Sequence, residues 1–116
     1  MYRICKQFSF EAAHSLNKLH EGHKCRNVHG HSYKVDVVFV SEMLDQAGMV
    51  RDLGSLEDIQ VYIRQTFDHN IINNVIYQPT VENIARHLFD WCLGRWSNVE
   101  SVRVYETATS WGEYSR

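Results

Sequence analysis

The amino-acid sequence predicts an α+β fold: a four-stranded antiparallel sheet covered on one face by two helices, in the order ββααββ. Two patterns lead to this expectation. In residues 32–41, Tyr33, Val35, Val37 and Phe39 share one parity while Lys34 and Asp36 take the other, which is the two-residue period of a half-buried strand. Further on the period lengthens. Leu56, Ile59, Ile63 and Phe67, and then Ile84, Leu88 and Trp91, recur at the spacing of one helix face.

Taken in order, residues 2–12 alternate around Ile4, Phe8 and Phe10 and read as the first strand. Residues 13–30, rich in His, Lys and Asn, read as a functional loop, and 31–41 as the second strand. Gly48 and Gly54 interrupt the connection over 42–54. Ser55 with Asp58 three positions later resembles a capping box with a shortened acid, so the first helix is expected from there, with Glu57, Gln60 and Arg64 on its wet side. Thr80, after Pro79, is a natural N-cap for the second helix; Glu82 lies in the first turn, where the dipole favours an anion, and Gly94 follows the last turn. After Asn98 the two-residue period returns with Val102, Val104 and Glu106, and a last strand runs through Trp111 and Tyr114.

With 116 residues and 44% hydrophobic content, the chain suffices for one core, so residues 1–116 are expected to form one domain. A formal charge of -2 gives no basic footprint for nucleic acid. No apolar run approaches the roughly 20 residues of a membrane-spanning helix. Cys5, Cys25 and Cys92 are odd in number, widely spaced and without a Cys-x-x-Cys or a leader segment, so reduced thiols and a cytoplasmic location are expected. Cys5 and Cys92, in a predicted strand and helix, read as packing residues. So do Tyr33, Trp91, Trp96 and Trp111, in the core or at an interface.

The chemistry is concentrated in Cys25-Arg26-Asn27-Val28-His29-Gly30-His31. Two histidines two positions apart at the start of a strand point the same way, and Gly30 between them leaves room for a ligand. His31 has the parity of the apolar set, so the pair faces inward, where neutral imidazoles can bind Zn²⁺. A cupin-type pattern would place a Glu shortly after the second His; Lys34 and Val35 stand there instead. His14 ends its own run of Phe8, Phe10 and Ala12 and is the better third ligand. Cys25 then either closes the site as a fourth ligand or stands off the ion as a thiol that Lys24 and Arg26 bias toward thiolate. The residues alone leave both arrangements open. Glu106 shares the inward parity of Val102 and Val104, and a carboxylate there needs Arg103, Arg51 or the paired N–H donors of a ligand.

Six separated blocks widen the pattern: Phe10-Glu11-Ala12-Ala13-His14, Glu21-Gly22-His23-Lys24-Cys25, His29-Gly30-His31-Ser32-Tyr33, Phe67-Asp68-His69 with Asn73, Pro79-Thr80-Val81-Glu82-Asn83, and Tyr105-Glu106-Thr107. In kind, order and spacing they resemble the 6-pyruvoyl-tetrahydropterin synthase and 6-carboxy-5,6,7,8-tetrahydropterin synthase family. The resemblance implies the tunnelling fold (T-fold), whose subunits join through their sheets into trimeric barrels and hexamers with active sites at subunit interfaces. It also implies His14, His29 and His31 as Zn²⁺ ligands, with His23 outside that set, and Cys25 as the catalytic thiol. Asp68 and His69 become a proton relay whose partner can come from another subunit. Glu106 becomes the pterin anchor, with Thr80 and Glu82 approaching the same pocket.

Within the family, three residues between Cys25 and His29 resemble the carboxy-forming branch, whereas pyruvoyl-forming members carry five and a third branch replaces the Cys with Glu. The implied reaction converts 7,8-dihydroneopterin triphosphate to 6-carboxytetrahydropterin, acetaldehyde and triphosphate in 7-deazaguanine (queuosine) biosynthesis. The alternatives are a pyruvoyl-forming synthase and a non-catalytic, zinc-stabilised pterin-binding scaffold. Lys18, Lys24 and Lys34 are the nearest cations for a triphosphate. Arg51, in Val50-Arg51-Asp52-Leu53, departs from the apolar residue the family commonly has there, and reads as a solvated residue or a modified substrate contact.

Overall fold

A computed structural model describes residues Met1–Arg116. Its elements are β1 (Tyr2–His14), β2 (His29–Ser41), α1 (Glu57–Thr66), β3 (Asn70–Ile71), α2 (Val81–Leu93), β4 (Val99–Thr107) and β5 (Ser110–Ser115), with short 3₁₀ turns at Lys24–Arg26, Leu53–Leu56 and Ile72–Asn74. The four long strands are antiparallel, as the sequence predicts. A fifth strand of two residues, β3, pairs parallel with β1 (Ala12 with Asn70, Ala13 with Ile71), so the sheet is mixed, in the order β3-β1-β2-β4-β5. Two residues are too few to carry a period, which is why β3 leaves no mark in the sequence.

The register does the positioning. Phe8 lies opposite Val35, Phe10 opposite Tyr33 and His14 opposite His29, while Val35 and Val37 face Val104 and Val102 across the other side of β2. Directly opposed residues share a face, so these side chains form one apolar layer beneath the helices. The layer joins Leu56, Ile59, Ile63 and Phe67 from the α1 region and Ile84, Ala85, Leu88, Phe89 and Cys92 from α2 in one contiguous core. Trp91 sits at its margin rather than on the buried stripe, stacked on Tyr62 with ring centres 4.4 Å apart. The opposite face is polar and bonded to itself: Gln7 Nε2 donates to Asp36 Oδ1 at 2.7 Å, Tyr105 OH to Asp36 Oδ2 at 3.2 Å, and Arg103 Nε to Glu113 at 3.1 Å.

Several local expectations change. Strand pairing runs further than the alternation suggested, so His14 and His29 are strand residues and the loop shrinks to 15–28. The capping box is not used: the Asp52 carboxylate accepts the Gly54 N–H at 2.9 Å, Ser55 donates to the Asp52 carbonyl, and α1 starts at Glu57 without a side-chain cap. The 3₁₀ turn ahead of the helix absorbs the residues that a capping box would have bonded. Cys5 is exposed on the polar face rather than packed, whereas Cys92 is buried, and that burial pushes its thiol up to about 12. Arg51 lies at the end of the sheet away from His29, its guanidinium over the Phe39 and Trp96 rings and donating to Asn98 Oδ1 at 3.0 Å.

Helix α2 is set as the sequence suggests, with the Thr80 hydroxyl accepting the Asn83 N–H at 3.2 Å. It approaches β5 at Gly112, where an added Cβ would lie 2.8 Å from Val81 Cγ2 and 3.3 Å from the Glu82 amide. Valine is β-branched and the second neighbour is backbone, so neither can yield cheaply. Gly112→Ala is therefore expected to lower unfolding free energy by about 1–3 kcal/mol in urea titration.

Candidate metal centre

The β1–β2 register brings His14 and His29 face to face, and His31, opposite Ala12, joins them one step further along the same side of the sheet. Their ligand atoms lie within 4.8 Å of one another. His14 is fully buried and its Nδ1 stands 2.8 Å from the Pro79 carbonyl; His29 Nδ1 stands 2.7 Å from the Asn27 carbonyl. A carbonyl can only accept, so in both rings Nδ1 carries a proton, and in the neutral form of each ring Nε2 is the bare lone pair. These two Nε2 atoms are 3.0 Å apart. With neither protonated there is no hydrogen between them, and the contact is repulsive unless a cation takes both lone pairs. His31 Nε2 is also buried with no hydrogen-bond partner.

Burial pushes the His14 and His31 imidazoles below the ordinary value of 6.5, against the opposing pull of Glu106, and so holds them in the neutral form that ligates metals. Three tetrahedral nitrogens at a Zn–N distance of 2.0–2.1 Å would be about 3.3 Å apart. The donors fit a first-row metal ion of the kind imidazoles hold. Cys25 is not among the clustered donor atoms. It sits in the 3₁₀ turn capped by His23, whose Nδ1 accepts the Cys25 N–H at 3.1 Å, while the Cys25 carbonyl accepts the Leu16 N–H at 2.8 Å.

Glu106 stands beside the histidines, its carboxylate 3.4 Å from His31 Nε2 and 4.0 Å from His14 Nε2, rather than paired with Arg103 or Arg51. Thr80 caps α2 and Glu82 is exposed in its first turn; they adjoin the site only through Pro79. Asp68 and His69 are not brought to the cluster within one chain. They flank the outer edge of β1, where Asp68 Oδ1 accepts the Glu11 N–H at 2.9 Å and the His69 N–H donates to the Glu11 carbonyl at 2.6 Å. His69 adopts a left-handed backbone (φ 57°), leaving its ring 80% exposed and 3.8 Å from the Asp68 carboxylate. Of the three lysines, Lys34 is on the polar face of β2, away from the histidines; Lys18 lies over Tyr77, and Lys24 adjoins Cys25.

The Pro79 and Asn27 carbonyls, which orient two of the histidines, carried no sequence signal, since every residue has a carbonyl. Asn73 stood in a matched block but without a role.

A mixed sheet with two helices on one face and three inward histidines on its central hairpin defines a T-fold subunit with a candidate histidine metal site. The chain belongs to the 6-pyruvoyl tetrahydropterin synthase family, whose model matches residues 3–116. It is 36% identical to a 6-carboxy-5,6,7,8-tetrahydropterin synthase of Synechocystis, covering 98% of this chain and 93% of that protein, and 31% identical to the Haemophilus influenzae enzyme of the same name, covering 98% and 99%. A protein of Archaeoglobus fulgidus, provisionally given that name, is 40% identical over 93% of this chain and 90% of its own. Among solved structures, 6-pyruvoyl tetrahydropterin synthase of Caenorhabditis elegans superposes with a TM-score of 0.86 at 28% identity, covering 99% of this chain and 95% of that one.

Burial also holds His87 below its ordinary value, so three imidazoles resist protonation in the folded state. As pH falls through 6.5 the unfolded chain takes up protons first. The metal-free protein should therefore lose stability from about pH 6.5 downward until the folded imidazoles protonate as well. Thermal midpoints measured between about pH 8 and pH 5 should fall, and His14→Gln should flatten the slope.

Proposed function

We propose that this chain is a zinc-dependent 6-carboxy-5,6,7,8-tetrahydropterin synthase acting on 7,8-dihydroneopterin triphosphate in 7-deazaguanine biosynthesis. The observation that carries the reading is the convergence of three imidazole ligand atoms within 4.8 Å of one another beside a carboxylate, in a chain whose relatives bear that name. The three-residue interval between Cys25 and His29 favours the carboxy-forming over the pyruvoyl-forming reaction.

His14, His29 and His31 would hold Zn²⁺, which supplies a Lewis acid for the hydroxyls of the substrate's three-carbon side chain. Glu106, facing the same space, can accept two parallel N–H bonds from the pterin's amino-pyrimidinone edge and so fix the ring against the histidines. Cys25, held on its capped turn beside Lys24 and Arg26, takes the carbon-bound proton as thiolate. Asp68 and His69 pass protons as triphosphate leaves and the side chain tautomerises, and in the carboxy branch one water is consumed as the carbon–carbon bond breaks, its oxygen balancing the carboxylate left on the pterin as acetaldehyde departs.

Because His69 points away from the cluster at an exposed edge, the relay is best supplied to a neighbouring subunit's site, which makes a homo-oligomer, trimeric or hexameric, part of the proposal. The cleft there, about 470 Å³ and lined by Glu11, Ala13, His69 and Asn70 among others, is open for such a neighbour. Thr80 and Glu82 are assigned to helix capping and the dipole, with substrate contact only across such an interface. Three free thiols support a reducing, cytoplasmic setting, and no helix is long and apolar enough to cross a membrane.

Incubation with dihydroneopterin triphosphate and Zn²⁺ should yield 6-carboxytetrahydropterin by mass and acetaldehyde in stoichiometric amount; a product retaining the three-carbon chain would assign the pyruvoyl reaction instead. Cys25→Ala should lower kcat by about 10²–10⁴-fold while one zinc per chain remains bound. Zinc lost together with the thiol would place the sulfur on the metal and support a scaffold.

A further inference from the structure

Asn73 lies in a matched block, yet no step above uses it. The segment that leaves α1 is laid alongside β1 as a parallel ladder: Asp68 and His69 bond Glu11, and Asn70 and Ile71 pair with Ala12 and Ala13. Asn73 carries the ladder one step beyond the strand with a side chain. Its Oδ1 accepts the Ser15 N–H at 2.9 Å and its Nδ2 donates to the Ser15 carbonyl at 2.9 Å, doing for Ser15 what a partner strand's peptide groups would do. Ser15 is buried and follows His14 directly.

The same Nδ2 also reaches the Tyr77 carbonyl at 3.4 Å. Tyr77 begins the stretch whose Pro79 carbonyl accepts the His14 Nδ1–H, and Asn83 Nδ2 fixes that stretch from the other side through the Gln78 carbonyl at 2.8 Å. One amide thus ties the backbone that carries His14 to the loop that sets its tautomer. A relative shift of about 1 Å would stretch the His14–Pro79 bond out of range and release the ring. His29 does not depend on this tie, since the Asn27 carbonyl in its own loop orients it.

We propose that Asn73 is a positioning residue of the metal centre, acting through His14 by clamping Ser15 to the 75–80 connection. This rests on the reading that the three histidines hold Zn²⁺. Groups that orient a ligand from behind typically account for 10–100-fold in metal affinity. A general loss of stability would weaken all three ligands alike; a clamp on His14 weakens only that one.

The test measures Zn²⁺ affinity by competition with a chromophoric chelator, and the visible spectrum of the Co²⁺ form, for wild type, Asn73→Ala, Asn73→Asp, His14→Ala and Asn73→Ala with His14→Ala. Asp keeps an acceptor for the Ser15 N–H but turns the donor into a second acceptor against two carbonyls. Both Asn73 variants should bind about 10–100-fold more weakly with a shifted Co²⁺ spectrum, and Asn73→Ala should cause no further loss once His14 is gone. Wild-type affinity and spectrum in both variants overturn the proposal, as does a loss that adds fully to that of His14→Ala. Should Asn73→Ala not fold, the isosteric Asn73→Asp carries the same comparisons, alone and in the His14→Ala background. A wild-type protein that takes up no zinc overturns the metal reading itself, and a wild type that binds while the Asn73 variants bind equally well overturns only the clamp.

Discussion

The antiparallel register that sets His14 across from His29 governs the rest of the molecule. Residues two apart share a face, so this pairing simultaneously puts Phe8, Phe10 and Ala12 with Tyr33, Val35 and Val37 beneath the helices and extends the same row to three imidazoles and, across β2, to Glu106. A slip of one residue would turn the whole apolar set of one strand to the polar face. The core therefore enforces the site: hydrophobic burial, at about 1.5–3 kcal/mol for each large side chain, holds a register that the histidines alone would oppose. At the end of the row the helices no longer cover the sheet with apolar groups, and the inward positions pass from packing to chemistry.

What the imidazoles gain from that position is neutrality and direction. Burial disfavours the charged forms of His14 and His31, and two backbone carbonyls, Pro79 and Asn27, accept from Nδ1 of His14 and His29. Both effects leave Nε2 bare, and both are fixed before any ion arrives. Glu106 pulls the other way, since its carboxylate favours protonated imidazole. A cation among the nitrogens relieves the lone-pair repulsion and the uncompensated carboxylate together. The site is thus strained as a set of neutral groups and satisfied as a charged one.

The parity of strands and the stripes of helices were legible because each follows from burial on one side. The layer beneath the helices and the inward set of His31 and Glu106 came from such patterns, and the Thr80 cap from its residue type and its place after Pro79. What escaped the sequence was of a different physical kind. Strand ends ran past the last alternating residue because backbone bonding, not side-chain burial, sets them, which moved His14 and His29 out of the loop. The helix start shifted because a 3₁₀ turn and Asp52 competed for the bonds assigned to Ser55 and Asp58. Cys5 was exposed because its odd position on β1 belongs to the polar face, a consequence of parity that its small hydrophobic side chain obscured. The Pro79 carbonyl and the Asn73 tie join residues 58 or more positions apart and so have no local signature, and the Asn27 carbonyl, two positions from His29, is backbone and has none either.

The position of His69 turns the remaining geometry into an argument about assembly. The bonds from Asp68 and His69 to Glu11 secure the chain against β1, and the left-handed backbone at His69 aims its ring outward at an edge that β3 covers for only two residues. Beyond β3 the outer edge of β1 has no partner strand, nor has the outer edge of β5, a condition that invites pairing with another chain. If the subunit functions alone, the edge is a liability and the relay proposed for His69 has no site within reach. If copies join edge to edge, the peptide groups are satisfied and His69 is carried toward a neighbour's site. The same edge that is incomplete as a fold would then complete the proposed chemistry, and neither deficiency would need a separate remedy.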